Sequence, residues 1–162
     1  MGVGIIVDEH VSSISVERLW KAAIVDGHNL VPKLLPNIIS SIEILEGDGG
    51  VGTIKKLNFT DDVMGAQYIK DQVEVIDHEK HIFKLSIIEG GLIGIKMKSY
   101  VYEVSFTSTS EGGSLANLKI DYEPLEDAVL PSEEEINNIK LAHIAMVKAV
   151  DGYLLANPDA YA

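Results

Sequence analysis

A chain of 162 residues with 46% hydrophobic and 23% charged side chains can bury a substantial core as one domain, residues 1–162, without disulfides or metals. No run approaches the roughly 18 to 20 apolar residues of a bilayer-crossing helix, so no membrane insertion is expected. Thirteen basic against 25 acidic side chains leave a net charge of −12, which repels polyphosphate and argues against specific nucleic-acid binding.

The opening MGVGIIVDEH lacks the basic segment, apolar core and cleavage site of a secretory signal, and the chain has no cysteine. Export is therefore not indicated, and the absence of cysteine fits a reducing compartment. GIIVDEHVSS reads as a strand. SSISVERLWKAAIVDG then changes to helical spacing through Val16, Leu19, Trp20, Ala23 and Ile24, with Ser15 as N-cap and Gly27 as stop. HNLVPKLLP is a second, short helical piece bracketed by prolines.

From Ile38 to about Glu123 the period becomes two. IISSIEIL, GTIKKLNF, QYIKDQVEVID, HIFKLSIIE, KSYVYEVSFTS and SLANLKIDYE give six strands in an antiparallel meander. The chain closes with one long helix: Ser132 and Glu135 form a capping-box pattern, and Asn157-Pro158 ends it. Its apolar stripe runs through Ile136, Ile139, Ala142, Met146, Val147, Val150 and Leu154, with His143 set among them. No linker, repeat or low-complexity tract interrupts the chain. The elements therefore predict an α+β fold: a curved seven-stranded antiparallel sheet wrapped around the last helix, with the two short helices as a wedge. Alanines at 142, 145 and 149 cannot fill the middle of such a grip, which predicts a cavity.

Four of the seven residues from Gly47 to Thr53 are glycine, and Gly47 and Gly52 have the outer spacing of a phosphate-binding Walker loop. That loop needs Lys and Ser or Thr directly after its last glycine, opening a helix. Here TIKKLNF, a strand, follows Gly52, so Gly47, Gly49, Gly50 and Gly52 read as a tight strand-to-strand connection. The five histidines, at 10, 28, 78, 81 and 143, are scattered, and neither a metal site nor a cofactor is expected.

EGDGGVGTIKK, DGHNLVPKLLP, VIDHEKHIFKLSIIEGG and AVDGYLLANPDAY together resemble the plant class-10 pathogenesis-related proteins, the family of the major birch pollen allergen, over the whole chain. The resemblance implies the helix-grip fold of the START-like superfamily and a hydrophobic cavity for amphiphilic ligands such as cytokinins, flavonoids, sterols or fatty acids. It also implies a cytoplasmic protein with a defence or stress role, several members being known as allergens, and the expected state is a monomer. The family's inward register would place Ile39, Leu57, Phe59, Tyr68, Asp71, Phe83, Leu85, Ile87, Tyr100, Tyr102 and Val104 on the sheet side of the cavity, and Ala142, His143 and Met146 on the helix side. Beside the birch member, Leu85 stands for a tyrosine, Val31 and Ala23 for phenylalanines and His143 for a glycine, which implies a less aromatic pocket. Tyr68, Asp71, Tyr100, Tyr102 and His143 are the candidate polar anchors, since a buried hydroxyl, carboxylate or imidazole needs a partner.

Members of the family have been described as ribonucleases. Carried over by motif, that activity would use Lys55, Asp151 and Tyr153, but Asp151 replaces the expected glutamate and Lys98 falls where a third acid would stand. Relatives that catalyse a Pictet–Spengler condensation imply a catalytic set that this chain does not match, with Leu92 where they carry an aromatic. The gate and latch loops of hormone receptors in the superfamily are matched by neither TDDVMGAQ nor EGGLIGIK. A ligand-binding module without catalysis is the expectation.

Overall fold

The computed structural model describes residues 4–60, 67–126 and 131–162. Most of TDDVMGAQ therefore lies outside the described residues, as does the opening MGV. Seven strands, β1 (Gly4–Ser12), β2 (Ile39–Glu46), β3 (Ile54–Phe59), β4 (Tyr68–Asp77), β5 (Ile82–Gly90), β6 (Met97–Ser108) and β7 (Ser114–Pro124), form one antiparallel sheet in the order β1-β7-β6-β5-β4-β3-β2. The first strand closes the meander by pairing with the last, Ile6 opposite Ile120.

Three α-helices complete the fold: α1 (Val16–Trp20), α2 (Gly27–Leu34) and α3 (Glu133–Ala156). The sequence spacing had suggested one helix from Ser15 to Gly27. Ser15 does cap it, accepting a hydrogen bond from the Arg18 amide, but the last turn is π-helical over Lys21–Val25 and closes with Asp26 N–H donating to the Lys21 carbonyl. The Asp26 carbonyl then accepts from Asn29 and Leu30, so Gly27 opens α2 and does not terminate α1.

The long helix begins with the expected reciprocal cap: the Ser132 hydroxyl accepts from the Glu135 amide and the Glu135 carboxylate from the Ser132 amide. Ser132→Ala is expected to cost about 1 kcal/mol of stability, measured by urea unfolding, because it leaves an amide of the first turn without its side-chain acceptor. At the other end the Arg18 guanidinium donates to the carbonyls of Leu154, Asn157 and Ala160, satisfying orphaned acceptors of the helix terminus. The Tyr161 hydroxyl donates to the Asp26 carboxylate and ties the tail to the start of α2.

Leu19, Trp20, Met97, Val104, Phe106, Ile120, Val150 and Leu154 build the core between the sheet, the short helices and the second half of α3. The helix stripe is wider than its apolar residues announced, for Ile144 and Asp151 are buried beside it. Among the described residues, no helix is long and apolar enough to cross a membrane.

Candidate functional site

Between the concave face of the sheet and α3 lies a cavity of about 560 Å3. Strand alternation builds one wall: Leu57 on β3, Ile69, Asp71 and Val73 on β4, Phe83, Leu85 and Ile87 on β5, and Tyr102, Val104 and Phe106 on β6. His143, Met146, Val147 and Val150, at helical spacing on α3, form the opposite wall. Ala23, Ile24, His28 and Val31 from the short helices, Ile42 and Ile44 from β2, and Gly49 and Gly50 from the glycine connection also line it. The small side chains at Ala23 and Val31 stand along this space.

Of the residues expected to line one cavity, Leu57, Asp71, Phe83, Leu85, Ile87, Tyr102, Val104, His143 and Met146 come together here. Ile39, Phe59 and Ala142 instead line a second cavity of about 260 Å3 with Leu35, Ile38, Asn138, Leu141 and Ala145, and Met146 borders both. Tyr100 lines neither and is buried behind His143. Tyr68 has the wrong parity for the cavity: it is three residues from Asp71, and strand period two sends it to the other face. There its hydroxyl donates to Glu89 at 2.5 Å, and Lys56 lies over its ring. Counting by two from Asp71 leads to Ile69 and Val73, which do line the cavity.

His28, Asp48, Thr53 and His78 add polar side chains to the lining, and two further polar groupings lie within it. The first is Lys55, whose Nζ lies 3.6 Å from Asp71 Oδ1 and 5.0 Å from the centre of the Phe83 ring. Asp71 is only 3% exposed, and burial raises its carboxyl above the ordinary range while the Lys55 ammonium opposes that shift. The separation is too long for a hydrogen bond, and among the described residues Asp71 Oδ1 is buried without a partner. The second grouping is centred on His143. Tyr102 stacks on its ring, centroids 4.1 Å apart, and the Tyr100 hydroxyl lies 2.5 Å from Nε2. Burial lowers the imidazole pKa to about 4, so it is neutral at physiological pH. Burial also raises both tyrosines, with a smaller contribution to Tyr102 from the Asp71 charge and to Tyr100 from Tyr102. Phenolate chemistry at neutral pH is thereby disfavoured, and Tyr102 connects the two groupings electrostatically.

This architecture agrees with the comparisons to known proteins. The profile of the Pathogenesis-related protein Bet v 1 family matches residues 1–157. The chain belongs to that family. It is 39% identical over 161 residues to Major pollen allergen Bet v 1-M/N of Betula pendula, and 39% over 163 residues to Major strawberry allergen Fra a 1-2 of Fragaria ananassa, each match covering 99% of both chains. The crystal structure of Ara h 8.0201 superposes with a TM-score of 0.85 at 32% identity, covering 96% of this chain and all of that one. Norcoclaurine synthase from Thalictrum flavum shares the fold, with a TM-score of 0.76 at 22% identity over 96% of this chain and 88% of that one.

In this Bet v 1 family member the carried-over ribonuclease residues are not assembled. Lys55 pairs with Asp71 in the cavity wall. Asp151 faces β1, its carboxylate bound by His10 Nε2 at 2.7 Å and by the Ser12 hydroxyl at 2.6 Å. Lys98 is on the surface within 3.9 Å of Glu123, while Tyr153 packs against the core near Tyr161. Ser12, His10 and Asp151 are not a nucleophilic triad either, since the serine donates to the aspartate and not to the imidazole.

The glycine connection has its amides engaged internally: Gly49 donates to Thr53 Oγ1, Gly50 to Asp48 and Gly52 to the Val73 carbonyl. Gly47, at φ 94°, lies so close to Thr53 that an added Cβ would stand 2.8 Å from its Cα. The loop is a fitted turn at the cavity edge, with little free donor capacity for phosphate.

Proposed function

We propose that this Bet v 1 family protein is a plant defence or stress protein that binds amphiphilic small molecules in its main cavity. Its ligands are drawn from cytokinins, flavonoids, sterol-like compounds and fatty acids, and the protein acts as a cytoplasmic monomer without covalent catalysis. One observation carries this reading: a chamber of about 560 Å3, apolar over most of its wall, holds a few polar side chains, of which Asp71 has a buried oxygen with no hydrogen-bond partner among the described residues. Small-molecule sites have this character, with volumes of roughly 300–1,000 Å3 and a few polar groups that set orientation. The separation of Lys55, Asp151 and Tyr153 supports binding over RNA cleavage.

Calorimetric titration with a panel of plant phenolics, hormones and lipids is expected to find ligands of micromolar Kd. Leu85→Trp, which fills the chamber from the sheet side, is expected to weaken them at least about tenfold while the circular dichroism spectrum is retained. A panel with no binder, or affinities unmoved by Leu85→Trp, would overturn the reading.

A further inference from the structure

The polarity of the cavity is asymmetric in a way that selects among amphiphiles. Within the described residues, Asp71 Oδ1 is buried with no hydrogen-bond partner, although Asp71 lines the cavity and is 3% exposed. Lys55, its only ionic partner there, stands 3.6 Å away and is held against the Phe83 ring. A buried carboxylate without a donor is a deficit that water or a ligand must make good.

Three kinds of ligand polar group can be weighed against this site. A neutral hydroxyl or N–H can donate to Asp71 and leave the Lys55 pair intact. An ether or ketone oxygen offers no donor. A carboxylate must take Lys55 from Asp71 and place a second negative charge beside a buried one, and breaking a buried pair by removing its partner is strongly unfavourable. His143 adds no positive charge to compensate, because it is neutral and its Nε2 is engaged by Tyr100.

We propose that the main cavity selects neutral amphiphiles that donate a hydrogen bond to Asp71, phenols and planar N–H heterocycles among them, and discriminates against carboxylates of the same shape. This rests on the binding reading above and narrows it by setting the fatty acids aside.

The test uses the full chain and three probes of one shape: 2-naphthol, 2-methoxynaphthalene and 2-naphthoate, titrated calorimetrically at neutral pH. 2-Naphthol is expected to bind about tenfold or more tighter than either of the others, the size of one hydrogen bond to a charged group. Asp71→Asn leaves Lys55 without its counter-charge, so the naphthoate-to-naphthol preference is expected to reverse. Asp71→Asn combined with Lys55→Met removes both charges and is expected to abolish both preferences, with thermal unfolding confirming that each variant is folded. Equal wild-type affinity for all three probes, tighter naphthoate, or an unchanged ranking in Asp71→Asn would overturn the assignment of polarity while leaving the binding reading standing. If none of the three binds and the broader ligand panel also fails, the binding reading falls with it.

Discussion

Asp151→Ala is expected to lower the free energy of unfolding by about 3 kcal/mol and to leave RNA cleavage at the level of a buffer control. The Asp151 side chain is 11% exposed and holds two short hydrogen bonds to β1, one from the Ser12 hydroxyl and one with His10 Nε2. The serine is in turn fixed, because its oxygen accepts the Ile14 amide, and Ser114 on β7 donates to the Ile14 carbonyl. Removing the carboxylate strands a buried hydroxyl and a half-buried imidazole at once, and detaches the last turns of α3 from the edge of the sheet. The structural and catalytic roles of Asp151 thus make opposite predictions. Urea unfolding read beside an RNA cleavage assay separates them: a stability loss under about 1 kcal/mol together with lost nuclease activity would restore the catalytic reading. His10→Ala, which deletes one of the two bonds and no carboxylate, should destabilise less.

Local pattern carried most of the fold. Alternation along HIFKLSIIE and KSYVYEVSFTS placed Phe83, Leu85, Ile87, Tyr102 and Val104 on one face, and a strand can be read this way because its period is fixed by the backbone. The same rule, applied strictly along β4, excludes Tyr68 once Asp71 is taken as inward. The break between α1 and α2 was not legible, since the choice between an α-turn and a π-turn at Lys21–Val25 depends on how the helices dock. Contacts distant in sequence were the least legible part of the site. Asp151 meets His10 across 141 residues and His143 meets Tyr100 across 43, and no periodicity encodes a pairing that only the closed sheet and the docked helix bring about. The division of the apolar lining into two chambers at Met146 belongs to the same class, because it depends on the path of α3 and not on which residues are apolar.

His143 should make the protein acid-sensitive by a measurable amount. In the fold its imidazole has a pKa of about 4, against an ordinary value of 6.5, because burial penalises the charged ring. The unfolded chain therefore takes up a proton at a pH where the folded chain does not. The stability associated with a neutral His143 is complete above about pH 6.5, declines as the pH falls, and is exhausted near pH 4, a loss of roughly 3 kcal/mol from this group. Carboxylates titrate in the lower part of the same range, so the quantity to measure is a difference between two proteins. His143→Leu with Tyr100→Phe removes the ring together with the hydroxyl that would otherwise lose its partner. Urea unfolding from pH 7.5 to 4 should show the double variant gaining on the wild type by roughly 3 kcal/mol as the pH falls. Parallel curves would mean that the ring protonates as easily inside the fold as outside it. If the gain is found, His143 contributes no charge to the cavity at any pH where the protein is ordinarily folded. Ligand affinity should then be insensitive to this residue's titration from pH 8 to about pH 5.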